Sequence, residues 1–99
     1  MALKQHLDDK VRYDQQVENS REYVLPFMEK THTIGVGTTV LEIGCGEGGV
    51  LLPFVERGCQ CVGVDLNPDR IVRAKVFLEK EVAAGMLCLA LALESRLGR

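Results

Sequence analysis

Apolar residues in this 99-residue chain fall into short clusters separated by glycines, and the spacing changes along the chain. Up to residue 33 it is helical. It predicts two helices, over about 3–18 and 20–32, with Ser20 as cap of the second. Tyr23, Val24, Phe27 and Met28 then share one face, expected to pack on a sheet, and Pro26 should kink that helix or move its start. Residues 33–38, with Gly35 and Gly37, read as a loop. From Thr39 the period shortens. Thr39-Val40-Leu41-Glu42-Ile43 is a short β-branched run that suits a buried parallel strand. Gly44 to Gly49 is a glycine-rich turn. Residues 50–57 read as a helix that Gly58 stops.

The same alternation repeats. Cys61-Val62-Gly63-Val64-Asp65 is a second strand. Asn67-Pro68-Asp69 is a helix start in which the first residue caps, the proline suits the first turn and the aspartate suits the positive helix end. Ile71, Ala74, Leu78 and Val82 follow one helical face beside Phe77, and Gly85 ends it. Residues 86–93 are a candidate third strand, although their leucines and alanines also permit a helix. Strands alternating with helices predict an α/β fold with a parallel sheet.

Composition narrows the picture modestly. The length suits one domain, and 46% apolar with 26% charged residues is ordinary for a globular protein. A formal charge of −2 provides no basic field for nucleic acid. Cys45, Cys59, Cys61 and Cys88 make no Cys-x-x-Cys pair, so reduced thiols and no metal site are expected. The charged start (Lys4, His6, Asp8, Asp9, Lys10) is unlike a signal peptide, which favours a cytoplasmic location. The longest uncharged run, Val82 to Leu93, is shorter than the roughly 20 residues of a membrane span.

The informative chemistry lies where the first strand meets its glycine turn. Glycines allow positive φ and leave no Cβ against a ligand. The site falls at the carboxyl end of a parallel strand, where open α/β sheets bind ligands. Asp65 ends the next strand, 19 residues after Gly46. That spacing puts a carboxylate beside the turn, able to accept from ribose hydroxyls, and implies a nucleoside-containing cofactor. Gly44, Gly46 and Gly49 also satisfy the dinucleotide pattern G-x-G-x-x-G. Against that reading, 38 residues precede the first strand, and Glu42 puts a charge two residues before Gly44. A turn that serves chain topology alone is the remaining alternative. Glu47 reads as an exposed first-turn residue, and His6 and His32 as surface residues. Arg12 and Tyr13 are weaker candidates for reaching over a cofactor carboxylate.

Val40-Leu41-Glu42-Ile43-Gly44-Cys45-Gly46-Glu47-Gly48 closely resembles the first motif of class I S-adenosylmethionine-dependent methyltransferases. Gly63-Val64-Asp65-Leu66-Asn67-Pro68 resembles their second. The resemblance implies a Rossmann-like parallel sheet preceded by helices, and S-adenosyl-L-methionine as cofactor. It implies a cofactor-binding set of Glu42, Gly44, Cys45, Gly46, Gly48, Asp65 and Leu66. Within that set Glu42 helps hold the methionine ammonium, the glycines pass under methionine and ribose, Asp65 binds the ribose and Leu66 lies beside the adenine. The family's sheet has seven strands and this chain supplies about three. Residues 1–99 therefore read as one partial domain, with helices over 1–38 and a cofactor-binding region over 39–93. Glu94 is the one candidate for the carboxylate after the third strand. The resemblance assigns no catalytic residue and no acceptor. Two other functions stay open: a non-catalytic cofactor-binding fragment, and a fragment of an NAD-dependent oxidoreductase. An unpaired sheet edge and uncovered apolar faces make self-association an expected property.

Overall fold

The computed structural model describes residues 2–92. Its N-terminal segment is one continuous rod rather than two capped helices: helix α1 (Ala2–Asn19) passes through a π-helical turn (Ser20–Val24) into helix α2 (Leu25–Glu29). The predicted Ser20 cap is not there. Asn19 and Ser20 are both helical, Leu25 N–H bonds to the Ser20 carbonyl five residues back, and Pro26 follows at once. Proline lacks an N–H and its ring crowds the carbonyl four residues earlier; the wider turn sits just where that crowding falls. Ser20 is instead buried, and its hydroxyl donates to the Val50 carbonyl at 2.6 Å.

Strand β1 (Thr39–Ile43), a 3-10 turn (Gly49–Leu51) with helix α3 (Leu52–Glu56), and strand β2 (Gln60–Asp65) follow in the expected order. Helix α4 (Pro68–Phe77) is capped as predicted, with Asn67 Oδ1 accepting from Asp69 N–H at 2.9 Å. The expected single helix up to Gly85 is broken. Leu78 leaves helical geometry (φ −112°, ψ 27°), and a short helix α5 (Glu79–Ala83) resumes after it. Strand β3 (Leu87–Leu91) closes the described chain, and Glu94 lies outside the described residues.

The three strands form one parallel sheet in the order β1-β2-β3. Register sets Val40 and Glu42 on one face with Cys61, Gly63, Leu87 and Leu89. That face carries the core, in which Leu51, Phe54, Ile71, Ala74 and Leu78 are buried from the helices. Leu41, Ile43, Val62, Val64, Cys88 and Ala90 share the other face, where Leu41 is 60% and Ile43 80% exposed. The proposed packing face of the second N-terminal segment is corrected here: Leu25 is buried and Val24 partly so, whereas Tyr23 (66%) and Phe27 (69%) point outward with Met28. No helix among the described residues is long and apolar enough to cross a membrane.

Candidate cofactor site

The site begins where β1 ends. The Gly44 and Cys45 amides both donate to the Val64 carbonyl, at 2.7 and 3.0 Å, which folds the chain off the sheet at the carboxyl ends of β1 and β2. Gly44, Gly46 and Gly48 then take positive φ (78°, 56° and 86°) at alternate positions. Residues with a Cβ pay about 1–2 kcal/mol in that region, so this coil is open to glycine almost alone.

The glycines differ in what their missing side chains face. A Cβ on Gly44 would meet nothing within 4 Å, and one on Gly46 would approach only Gln16 Nε2 (3.5 Å) and Arg70 Nη1 (3.7 Å). Gly44 therefore borders open space, whereas Gly46 is buried beneath the Gln16 and Arg70 side chains. A Cβ on Gly48 would strike Leu78 Cδ1 at 2.7 Å, and one on Gly49 the Tyr13 carbonyl at 2.5 Å. Those two are demanded by packing against α4 and α1. Cys45 is also turned inward; burial, with Glu42 and Asp65 nearby, pushes its thiol up to about 11. A cavity of about 170 Å³ opens at the strand ends, lined by Ile43, Gly44, Val64, Asp65, Leu66 and Ala92.

Two carboxylates flank the turn. Asp65 Oδ2 accepts from Gly46 N–H and Oδ1 from Asn67 N–H, each at 2.8 Å. The Asn67 amide, then the Gly46 amide and Arg70, hold its carboxyl below the usual range. Two accepted bonds leave further lone pairs on this carboxylate. Glu42 is the opposite case. Its Oε1 is buried, and no hydrogen-bond partner for it is found among the described residues. Burial, and then the charge of Asp65, push its carboxyl from 4.5 up to about 7. An acceptor left bare in this way is costly unless a donor arrives.

The expected exposure of Glu47 is overturned: it is 1% exposed. Local rules place an acid in the first helical turn in water, but α1 lies over this position. Gln16 Nε2 donates to Glu47 Oε1 at 3.1 Å, while Arg12 Nε and Arg73 Nη2 each lie 3.8 Å from Oε2. Asp9, also 1% exposed, joins the cluster through an ion pair with Arg12 and through Arg73 Nε at 2.9 Å. The idea that Arg12 and Tyr13 reach over a ligand is corrected as well. Arg12 is engaged with Asp9, and Tyr13 is core, its ring 4.8 Å from that of Phe77. His32 is exposed. Gln16 and Arg70 border the turn, and neither was singled out by sequence. No local pattern marks them, because Gln16 acts across 31 to 33 positions of chain.

Glycine turn and strand-end cavity on a three-stranded parallel sheet define the class: a Rossmann-like fold, of the kind that binds ligands at the carboxyl ends of its strands. Comparison with known proteins is specific. A family model described as "Methyltransferase domain" matches residues 12–90, and the chain belongs to that family. A ubiquinone biosynthesis O-methyltransferase of Bradyrhizobium sp. (strain ORS 278) is 46% identical over 44 residues. That segment is 44% of this chain and 17% of the relative, so the chain matches only a small part of the curated relative's length. A S-adenosylmethionine-dependent methyltransferase from Thiobacillus denitrificans, solved with S-adenosyl-L-homocysteine, superposes with a TM-score of 0.53 at 27% identity. The match covers 60% of this chain and 24% of that one. The YcgJ protein from Bacillus subtilis gives a TM-score of 0.57 at 28% identity, over 69% and 29% of the two chains.

Proposed function

We propose that this chain is the cofactor-binding part of an S-adenosyl-L-methionine-dependent methyltransferase, a single partial domain over residues 1–99. The observation that carries the reading is the pair of carboxylates across the glycine turn: Glu42, half-buried, with an Oε1 that is buried and unpartnered among the described residues, and Asp65, with acceptor capacity to spare. A ligand that fits them carries a cation at one end and a ribose at the other. Glu42 would hold the ammonium and Asp65 the ribose hydroxyls. The backbone from Gly44 through Cys45 and Gly46 to Gly48 would run beneath them, with Leu66 beside the base. Family membership and relatives solved with S-adenosyl-L-homocysteine support the same ligand.

S-adenosyl-L-methionine supplies an activated methyl group that leaves a sulfonium by in-line displacement. What the chain's own residues contribute is placement. The acceptor and the residues that present it are not assigned. A cytoplasmic location and self-association through the open sheet belong to the same proposal. A fragment that binds the cofactor without turnover is the second reading, supported by the small share of each relative that the chain covers.

The oxidoreductase reading is disfavoured by charge. Dinucleotide sites place a pyrophosphate against the amides at the helix start. Here the Gly49 amide already donates to Gln16 Oε1 at 2.9 Å, and Glu42 and Glu47 flank the turn. Calorimetry with S-adenosyl-L-homocysteine and NADH tests the assignment. Asp65→Ala should weaken S-adenosyl-L-homocysteine binding roughly ten- to a hundredfold. Binding of NADH in its place would replace this reading.

A further inference from the structure

The turn that would carry the cofactor has left-handed glycines at three alternate positions, and its backbone bonds, Gly44 and Cys45 to the Val64 carbonyl and Gly48 N–H to the Cys45 carbonyl at 2.9 Å, leave the Gly46 and Gly49 amides to side chains. Two side chains hold it from outside. Asp65 takes the Gly46 amide, but Asp65 is also the group that must meet the ribose. The other is Gln16, near the end of α1. Its Oε1 accepts from Gly49 N–H at 2.9 Å, in the manner of a helix cap, although it lies 33 positions away in the chain. Its Nε2 donates to Glu47 Oε1 at 3.1 Å, which fixes the direction of the amide. The same nitrogen lies 3.5 Å from where a Gly46 Cβ would stand, so Gln16 also packs over the middle of the turn.

Glu47 is held in turn. Arg12 from α1 and Arg73 from α4 approach its Oε2, and both also reach Asp9. Two carboxylates and two guanidinium groups, balanced in charge, thus pin α1 and α4 together across the turn. Such a cluster costs desolvation, and apolar residues in the same volume would serve folding at least as well. Its geometric consequence is that Glu47, and through it the Gln16 amide, is held in place beside the turn.

We propose that Gln16, oriented by Glu47, is a positioning residue for the cofactor: α1 reaches across and sets the glycine turn in its binding shape, so affinity depends on a helix residue outside both sequence motifs. This rests on the cofactor reading above. Preorganisation of this kind raises affinity by sparing the ligand the cost of ordering its site.

The test uses the full chain, with S-adenosyl-L-homocysteine as ligand and calorimetry as readout. Gln16→Met removes both hydrogen bonds at similar volume and should raise Kd by roughly 2- to 30-fold, the range set by loss of a helix cap. Gln16→Glu keeps the acceptor for Gly49 but sets a second carboxylate against Glu47, and should bind more weakly still. Adding Glu47→Gln to Gln16→Glu restores the pair with donor and acceptor exchanged. Affinity should then return to within about threefold of wild type, a recovery that a merely structural loss would not show. A fully folded double variant that stays as weak as Gln16→Glu overturns the proposal. So does a Kd for Gln16→Met that stays within twofold of wild type. Should the single variants fail to fold, hydrogen exchange in the wild-type chain decides. The Gly49 amide is expected to be protected without ligand, and fast exchange there overturns the proposal. Failure of the wild-type chain to bind the ligand at all overturns the cofactor reading, and this inference with it.

Discussion

The two faces of the sheet carry similar side chains and have opposite fates. Leu87 and Leu89 on one face are buried under α3 and α4, while Leu41 and Ile43 on the other stand in solvent. Hydropathy does not separate them; what separates them is which elements this stretch of chain provides. The helices between the strands, α3, α4 and α5, cover the face that holds Glu42, and among the described residues none covers the other. The bare face ends at the cavity lined by Ile43, Val64 and Leu66. The candidate site therefore sits at the border between the covered face and the bare one.

Thiol chemistry should show the largest contrast between the faces. Cys88 is exposed on the bare face, whereas Cys45, Cys59 and Cys61 are buried. Burial first of all raises the thiols of all three, those of Cys45 and Cys61 to about 11. A thiol reagent should modify Cys88 first, with the other three reacting roughly a thousandfold more slowly through opening of the fold. Mass spectrometry of partly labelled protein reads this directly, and equal rates would mean that the covered face is not packed.

Truncation measures the same contrast in stability. Leu89→Ala on the covered face should cost about 2–5 kcal/mol, as buried leucines do. Denaturant titration gives the value, and a cost below about 1 kcal/mol would place β3 outside the cooperative core.

The elements that were legible in the sequence are those whose causes are local. Residues 39–43 and 60–65 announce themselves by β-branched runs between glycines, and Asn67 caps α4 by contacts two and three residues away. The approach of Asp65 to Gly46 follows from the strand-turn-helix-strand unit itself. What escaped was set by distant packing. Glu47 is buried because α1 brings Gln16 and Arg12 over it, which no first-turn rule contains. The break at Leu78 is invisible to periodicity, since Ile71, Ala74, Leu78 and Val82 keep their spacing although the helix is interrupted. Leu78 is fully buried where the break occurs. Tyr23 and Phe27 obey a helical period and still face water, because the sheet they were expected to meet lies on the other side of the rod.

Glu42 lies on the covered face but at its border, and its titration should be measurable. An ordinary glutamate titrates near 4.5 and this one near 7, raised first by burial and then by Asp65. The fold thus prefers the protonated form. The stabilisation is complete below pH 4.5, drains away between 4.5 and 7, and is absent above 7. Glu42→Gln should equal wild type in acid and exceed it by about 1 kcal/mol above pH 7, a low figure because the carboxyl keeps part of its solvent. Ligand binding should run the other way. An ammonium group needs the ionised carboxylate, so affinity for S-adenosyl-L-homocysteine should fall about tenfold from pH 8 to pH 6, with a proton released on binding in acid. Flat affinity over that range would remove Glu42 from the ammonium site.

The smallest effect on folding, and the most direct probe of the bare face, is expected from Ile43→Lys. Ile43 is 80% exposed, so a lysine there loses little buried surface and should change stability by less than about 0.5 kcal/mol. Its effect should fall on association. Leu41, Ile43, Val62, Val64, Cys88 and Ala90 form a continuous apolar surface in register across three strands, and among the described residues β1 and β3 each leave one edge without a strand partner. Such surfaces recruit further strands or second copies. A lysine at the carboxyl end of the outward row of β1 adds a charge that each copy would have to desolvate or repel. Sedimentation at increasing concentration should show wild-type chain shifting to larger species and Ile43→Lys remaining smaller at the same concentration. If both sediment alike as monomers, the bare face is tolerated in water. The asymmetry between the two faces would then be a stable property of this chain.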